Sequence, residues 1–245
     1  MKKSILFSVL FAASVITALL FAGCGEKGTE AGSENWEGDV DALLQRCCGG
    51  KGIQHEYGAL VDTRDGKKYK TIEIGGATWM AENLNYTTPD SSWCYDDDAS
   101  KCGKYGRLYA FNAARAACPT GWHLSTSDEW YALTAKDGYM AGKKLKSSSG
   151  WDPSSYCTGS GCPDYNGTDT YGFSAMPGGC RYTLSYNRTG FNRIGESGYW
   201  WTDVTGNISQ YSNIEYRSMS NTSHEVTVGS YSNMSEGYSV RCVKN

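Results

Sequence analysis

Apolar positions recur at helical spacing in one part of this chain and at strand spacing in the rest. Between Tyr105 and Leu133, Leu108, Phe111, Ala114 and Arg115 stand at i, i+3, i+6 and i+7, beside a row formed by Ala110, Ala113, Ala114 and Ala117. That spacing predicts a first amphipathic helix, which Pro119 stops. Its short alanine face permits close packing. A second helix opens at Thr126, three residues before Glu129, so that hydroxyl and carboxylate can satisfy each other's orphan backbone donors. Trp130 and Leu133 follow on one face. Between the two, CPTGWHL reads as a turn into a short strand. Upstream, KYKTIEI (68–74) alternates, and Gly75-Gly76 turns it into Ala77 to Met80, a hairpin preceded by a turn at Asp65-Gly66. Downstream, residues 151–169 form a polar loop. Strand-like stretches lie at 171–176, 198–202, 214–219 and 238–243. The pattern is α+β, with two helices segregated from a small antiparallel sheet.

The N-terminus has a different pattern. Met1, Lys2 and Lys3 precede an apolar run through Ala22, and Gly23 and Cys24 follow Leu20, Phe21 and Ala22. This is the layout of a secretory signal, residues 1–23. The small-small-Cys ending resembles the bacterial lipobox, which marks Cys24 for lipidation, although Phe21 stands where Leu is commoner. An ordinary signal peptide containing Cys24 is one alternative and a spanning anchor another, but no basic stop-transfer flank follows. Gly25 in place of Asp favours the outer membrane by the lipoprotein sorting rule. Residues 24–55 are rich in Gly, Glu, Ser and Asn and read as a lipidated tether. Residues 56–245 suffice for one domain with its own core.

Composition narrows the partners. A formal net charge of -3 and a pI near 5.7 argue against nucleic acid, which calls for a basic stripe. The 18 Tyr, 8 Trp and 30 Gly describe a turn-rich, aromatic domain. Ten cysteines in an exported chain imply disulfides. Cys94 with Cys102 and Cys157 with Cys162 are close pairs, each closing a short polar loop. Cys118 and Cys242, if joined, would close a loop of more than a hundred residues. With Cys24 taken by lipid, Cys47, Cys48 and Cys180 then remain, one pair plus one odd thiol, which leaves Cys180 to pair with Cys47 or Cys48.

The segments YKTIEIGGATWMAENLNY, CYDDDASKCGKYGRLYAFNAARAACPTGWHLSTSDEW, DTYGFSAMPGG, GYWWT and GYSVRCVKN together resemble the Fibrobacter succinogenes major paralogous domain, a family of exported bacterial domains of largely undetermined function. More distantly, their order resembles the C-type-lectin-like architecture and the sulfatase-modifying factor domain. The resemblance implies a lectin-like fold with long disulfide-closed loops. In C-type lectins the cysteine at the end of the first helix pairs with the C-terminal one, and Cys118 and Cys242 occupy those places.

Three functions compete on these residues. A carbohydrate-binding or adhesion module would stack sugar rings on loop aromatics, for which Trp93, Tyr95, Trp151, Tyr156 and Tyr165 are the candidates, its partner a polysaccharide. An envelope scaffold would instead contact another envelope protein. A formylglycine-generating-like enzyme needs a cysteine pair near the C-terminus, where Cys242 stands alone. No catalytic residues are assigned. His55, His123 and His224 lack metal spacing, and His123 reads as a hydrogen-bonded core residue. Asp96, Asp97 and Asp98 fail as an EF-hand because Lys101 and Arg107 replace the required Gly and Glu. No metal and no cofactor is expected.

Overall fold

The computed structural model describes residues 54–154, 166–184, 188–204, 214–231 and 233–245. His55–Asn245 is one compact unit. Its first sheet runs in the order β1-β2-β3-β12-β6, with β1 at Gly58–Val61, β2 at Lys68–Ile74, β3 at Ala77–Met80, β6 at Trp122–Leu124 and β12 at Cys242–Lys244. The alternation of β2 holds except at Thr71 and Ile72, neighbours that are both buried. Tyr69, Thr71, Ile72 and Ile74 are buried, while Lys68, Lys70 and Glu73 face out. Ile74 pairs with Ala77 across Gly75 and Gly76, both at positive φ, as a two-residue hairpin turn requires.

The second sheet has the order β11-β10-β9-β7-β8, comprising β7 (Gly178–Leu184), β8 (Arg188–Ile194), β9 (Ser197–Thr202), β10 (Ile214–Ser220) and β11 (Thr227–Tyr231). Its pairs are antiparallel except β7 with β9, which meet in parallel at Gly179 and Gly198. A two-stranded ribbon, β4 (Ser92–Trp93) with β5 (Leu108–Tyr109), completes the strands among the described residues.

The C-terminal segment stitches these pieces together. Gly237 exchanges backbone hydrogen bonds with Arg181 and Tyr238 with Tyr109; Ser239 donates to Tyr199 and accepts from Trp201. Val240 then accepts from Leu84, and Arg241 from Ser125. Cys242 to Lys244 pair with β6, and Val243 with Trp79 of β3.

Four α-helices occur among the described residues: α1 (Ala99–Tyr105), α2 (Phe111–Ala117), α3 (Ser127–Thr134) and α4 (Ala141–Leu145). The capping box of α3 is present: Glu129 N–H donates to Thr126 Oγ1 at 3.2 Å, and Thr126 N–H donates to Glu129 Oε2 at 2.8 Å. Trp130 and Leu133 are buried as its periodicity requires. Helix α2 starts later than its apolar spacing indicates, because Leu108 belongs to β5. Gly106 explains the break: it sits at φ +75°, and a Cβ there would lie 2.6 Å from that of Asn83. Arg115 is also not on the buried face; it is exposed, 3.4 Å from Asp203. The expected strand at 171–176 is irregular apart from one bridge between Ala175 and Lys146. There the Asp169 carboxylate accepts from Ser174 N–H at 2.7 Å and from Ser174 Oγ at 2.5 Å, turning the chain at a residue with φ +51°.

Trp79, Trp130 and Phe173 pack mutually edge-to-face, with centroids 5.4–5.6 Å apart. Arg241 lies over Phe173 with no exposed surface and gives its protons to Asn83 Oδ1 and to the carbonyls of Met80, Phe173 and Ser174. Disulfides join Cys94 to Cys102 and Cys118 to Cys242. Cys180, expected to pair with Cys47 or Cys48, is instead a free thiol. It is half-buried, and its burial pushes the thiol up to about 11. Cys24, Cys47, Cys48, Cys157 and Cys162 lie outside the described residues.

Candidate functional site

Two clefts adjoin along residues 81–91, the segment that leaves β3. The larger, about 620 Å³, is lined by Arg64, which a buried carboxylate holds at the turn between β1 and β2. Asp62 is fully buried and accepts from Arg64 Nε at 2.8 Å and from an Arg64 terminal nitrogen at 2.7 Å. These hydrogen bonds hold its carboxyl below the usual range. The same guanidinium donates to Ala117 O at 2.7 Å, at the end of α2, and lies 3.7 Å from the centre of the Tyr86 ring. Arg64 and Tyr86 thus form one flat wall of the cleft.

The opposite wall is the alanine row of α2. Ala114 and Ala117 turn into the core, while Ala110, Ala113 and Ala116 line the opening. Methyl groups are short, so the space above them stays empty. Hydroxyl, amide and carboxylate groups of Thr88, Asp90, Ser91 and Asn112 surround it. The volume falls in the range of about 300–1,000 Å³ usual for ligand pockets.

The second cleft, about 380 Å³, is cationic. Lys68 and Lys70, both on the exposed face of β2, line it together with Lys104 of α1. Lys67 lies at its edge, paired with Asp65 at 2.6 Å. Buried Arg241 and Asn83 lie behind it. Glu82 is the one carboxylate in the lining, and its Oε2 accepts the backbone N–H of Lys70 at 2.7 Å.

The aromatic candidates separate on inspection. Tyr95 is 7% exposed, packed 5.2 Å from Phe191, so it is a core ring and offers no face to a ligand. Trp151 is 5% exposed; its indole N–H donates to Ser147 Oγ and Ala175 O, and its face receives Lys146 Nζ at 5.0 Å. Both expectations of an exposed ring are thereby corrected: each polar loop folds its aromatic side chain inward to cover apolar surface. Trp93 is half-buried beneath the Arg181 guanidinium at 3.9 Å, two residues beyond Ser91 of the larger cleft. Tyr156 and Tyr165 lie outside the described residues.

The remaining candidates are structural. His123 is 36% exposed at its side chain, bonded to Asn245 Oδ1 at 2.7 Å and Glu129 Oε1 at 2.9 Å, rather than core. Asp98 caps α1 by accepting from Ser100 N–H at 2.8 Å. Sequence reasoning missed Arg64, Tyr86 and Asn112. The signal for Tyr86 was present in NYTTPD, an aromatic ring amid turn-forming polar residues.

These features define an α+β domain with two five-stranded, antiparallel-rich sheets, paired polar clefts and, among the described residues, two disulfides. Residues 72–244 match the family described as the Fibrobacter succinogenes major domain, and the chain belongs to that family. No curated protein and no solved structure matches the chain.

Proposed function

We propose that this domain is a non-catalytic carbohydrate-binding module, displayed at the cell envelope by an exported lipoprotein anchored through Cys24. The supporting observation is the larger cleft: a flat Tyr86–Arg64 wall faces a methyl-lined wall, with Asp90, Asn112, Thr88 and Ser91 between them. Sugars present flat C–H faces and rims of hydroxyls, which that combination accommodates. Trp93 extends the same segment. A lectin-like architecture is part of this reading, since the helix-end cysteine is joined to the C-terminal strand as in that class.

Ala116 is exposed on the cleft wall, so Ala116→Trp fills the opening without entering the core. The variant is expected to lose retention on insoluble cell-wall polysaccharide while its Tm stays within about 2 °C of wild type. Retention equal to wild type would remove the cleft from consideration. Binding instead to an envelope protein, with no polysaccharide retained, would favour the scaffold. Fatty-acid labelling that disappears in Cys24→Ser tests the anchor.

A further inference from the structure

The cationic cleft is out of character for a chain of net charge -3. Among the described residues Lys68, Lys70 and Lys104 make no ion pair, and the lysines of β2 sit two residues apart on one face, about 7 Å along the strand. Lys70 Nζ stands 5.1 Å from the Tyr57 ring and Lys104 Nζ 4.8 Å from the Tyr105 ring, contacts that steady the ammonium groups without neutralising them. Arg241 adds a buried positive charge whose hydrogen bonds go to one amide oxygen and three carbonyls, with the Asp169 and Glu82 carboxylates near enough to favour its charged form against burial. Opposing this, Glu82 supplies one negative charge, already held by a backbone donor.

The cleft adjoins the one described above along the chain. Asn85 lines the lysine cleft and Tyr86, its neighbour in the chain, lines the larger; Lys67 and Arg64 divide in the same way across one turn. A linear polymer that lies along residues 86–91 and extends toward residue 85 would meet the lining of the lysine cleft. We propose that the lysine cleft is an anion subsite and that the polymer bound is an acidic polysaccharide, its carboxylates spaced along a sugar backbone. This rests on the carbohydrate reading and narrows it to a substrate class. Lysines suit such a ligand because they are mobile point charges, able to follow carboxylates whose positions vary along a chain.

The test compares polygalacturonate with the same polymer fully methyl-esterified, which keeps the backbone and removes the charge. Binding by the purified full-length protein is measured by titration calorimetry in 0.01 M and 0.1 M salt, across which the screening length falls from about 30 to about 10 Å. The acid form is expected to bind at least about tenfold tighter than the ester at low salt, with the ratio shrinking at high salt. Lys68→Ala/Lys70→Ala/Lys104→Ala, all at exposed positions, should bring that ratio to about one. Tyr86→Ala should weaken both polymers. Equal binding of acid and ester overturns the anion subsite and leaves the carbohydrate reading standing. Binding of neither polymer defeats both. Binding that polyphosphate matches at equal charge, and that Tyr86→Ala does not alter, shows general polyanion attraction and overturns the proposal.

Discussion

The two disulfides among the described residues sit in regions built on different terms. Cys118–Cys242 joins the end of α2 to a strand held between β3 and β6, spanning 124 residues and lying within the main apolar cluster. Cys94–Cys102 spans eight residues and ties a 3₁₀ turn, Tyr95–Asp97, to α1 near the clefts. On the chain-entropy account the first stabilises by about 5 kcal/mol and the second by about 2.5 kcal/mol, since closing a longer loop removes more denatured-state freedom. The first fixes, over a long path, the end of the helix whose alanines wall the larger cleft; the second is a local clip beside the lysine cleft, which Cys102 lines.

That contrast can be broken most directly by Cys118→Ala/Cys242→Ala, for which a loss of about 5 kcal/mol is expected in denaturant unfolding. Next comes Arg64→Ala. It strands the buried Asp62 carboxylate and releases the end of α2, so about 3 kcal/mol should be lost. Because Arg64 holds the Asp62 carboxyl below its ordinary value, the wild type carries a stabilisation present above about pH 4 and lost as pH falls further. The variant should lack that acid slope in a Tm-against-pH series. Third, Cys94→Ala/Cys102→Ala should lose about 2.5 kcal/mol, with the preference for acidic over esterified polymer affected more than by the interior pair at matched stability. A smaller loss of that preference than in the interior variant would erase the distinction between the two regions.

The smallest effect appears only in alkali. Burial raises the Tyr69 phenol to about 12 and the Cys180 thiol to about 11, so the fold favours their neutral forms. The resulting stabilisation is complete below the unfolded-state values, about 9 to 10, and is lost as pH rises through about 11 to 12. Tyr69→Phe should flatten this decline, with little change at neutral pH beyond the hydrogen bond from Asn85 N–H. A Tm independent of pH between about 9 and 11 would contradict it.

Local chemistry was legible in the sequence wherever one short segment settled the outcome. The Thr126–Glu129 box and the Gly75-Gly76 turn each act within a few residues and stand as expected, and KYKTIEI alternates except where Thr71 and Ile72 are both buried. Leu108 was misplaced because helical spacing competes with a tertiary pairing: Tyr109 exchanges hydrogen bonds with Tyr238, far along the chain. The hairpin of β7 and β8 escaped notice since RYTL and RTGFNRI lack a clean two-residue alternation. Trp151 and Tyr95 were misjudged for a related reason. Polar neighbours in sequence say that a backbone segment is a loop, yet a loop can close over the core with its one aromatic side chain. The clefts were not legible at all, for Arg64, Tyr86 and Asn112 become neighbours only through the packing of α2 on the β1–β2 turn.

The stitching of Gly237 to Asn245 into β3, β5, β6, β7 and β9 also sets the order of events when the chain is made. Neither large sheet has all its backbone partners without that segment, and a chain lacking it holds β3 and β6 with no strand between them. Contacts so distant in sequence form slowly. Completion of both sheets therefore waits on the C-terminal segment, and the Cys118–Cys242 disulfide fastens the last strand in its place.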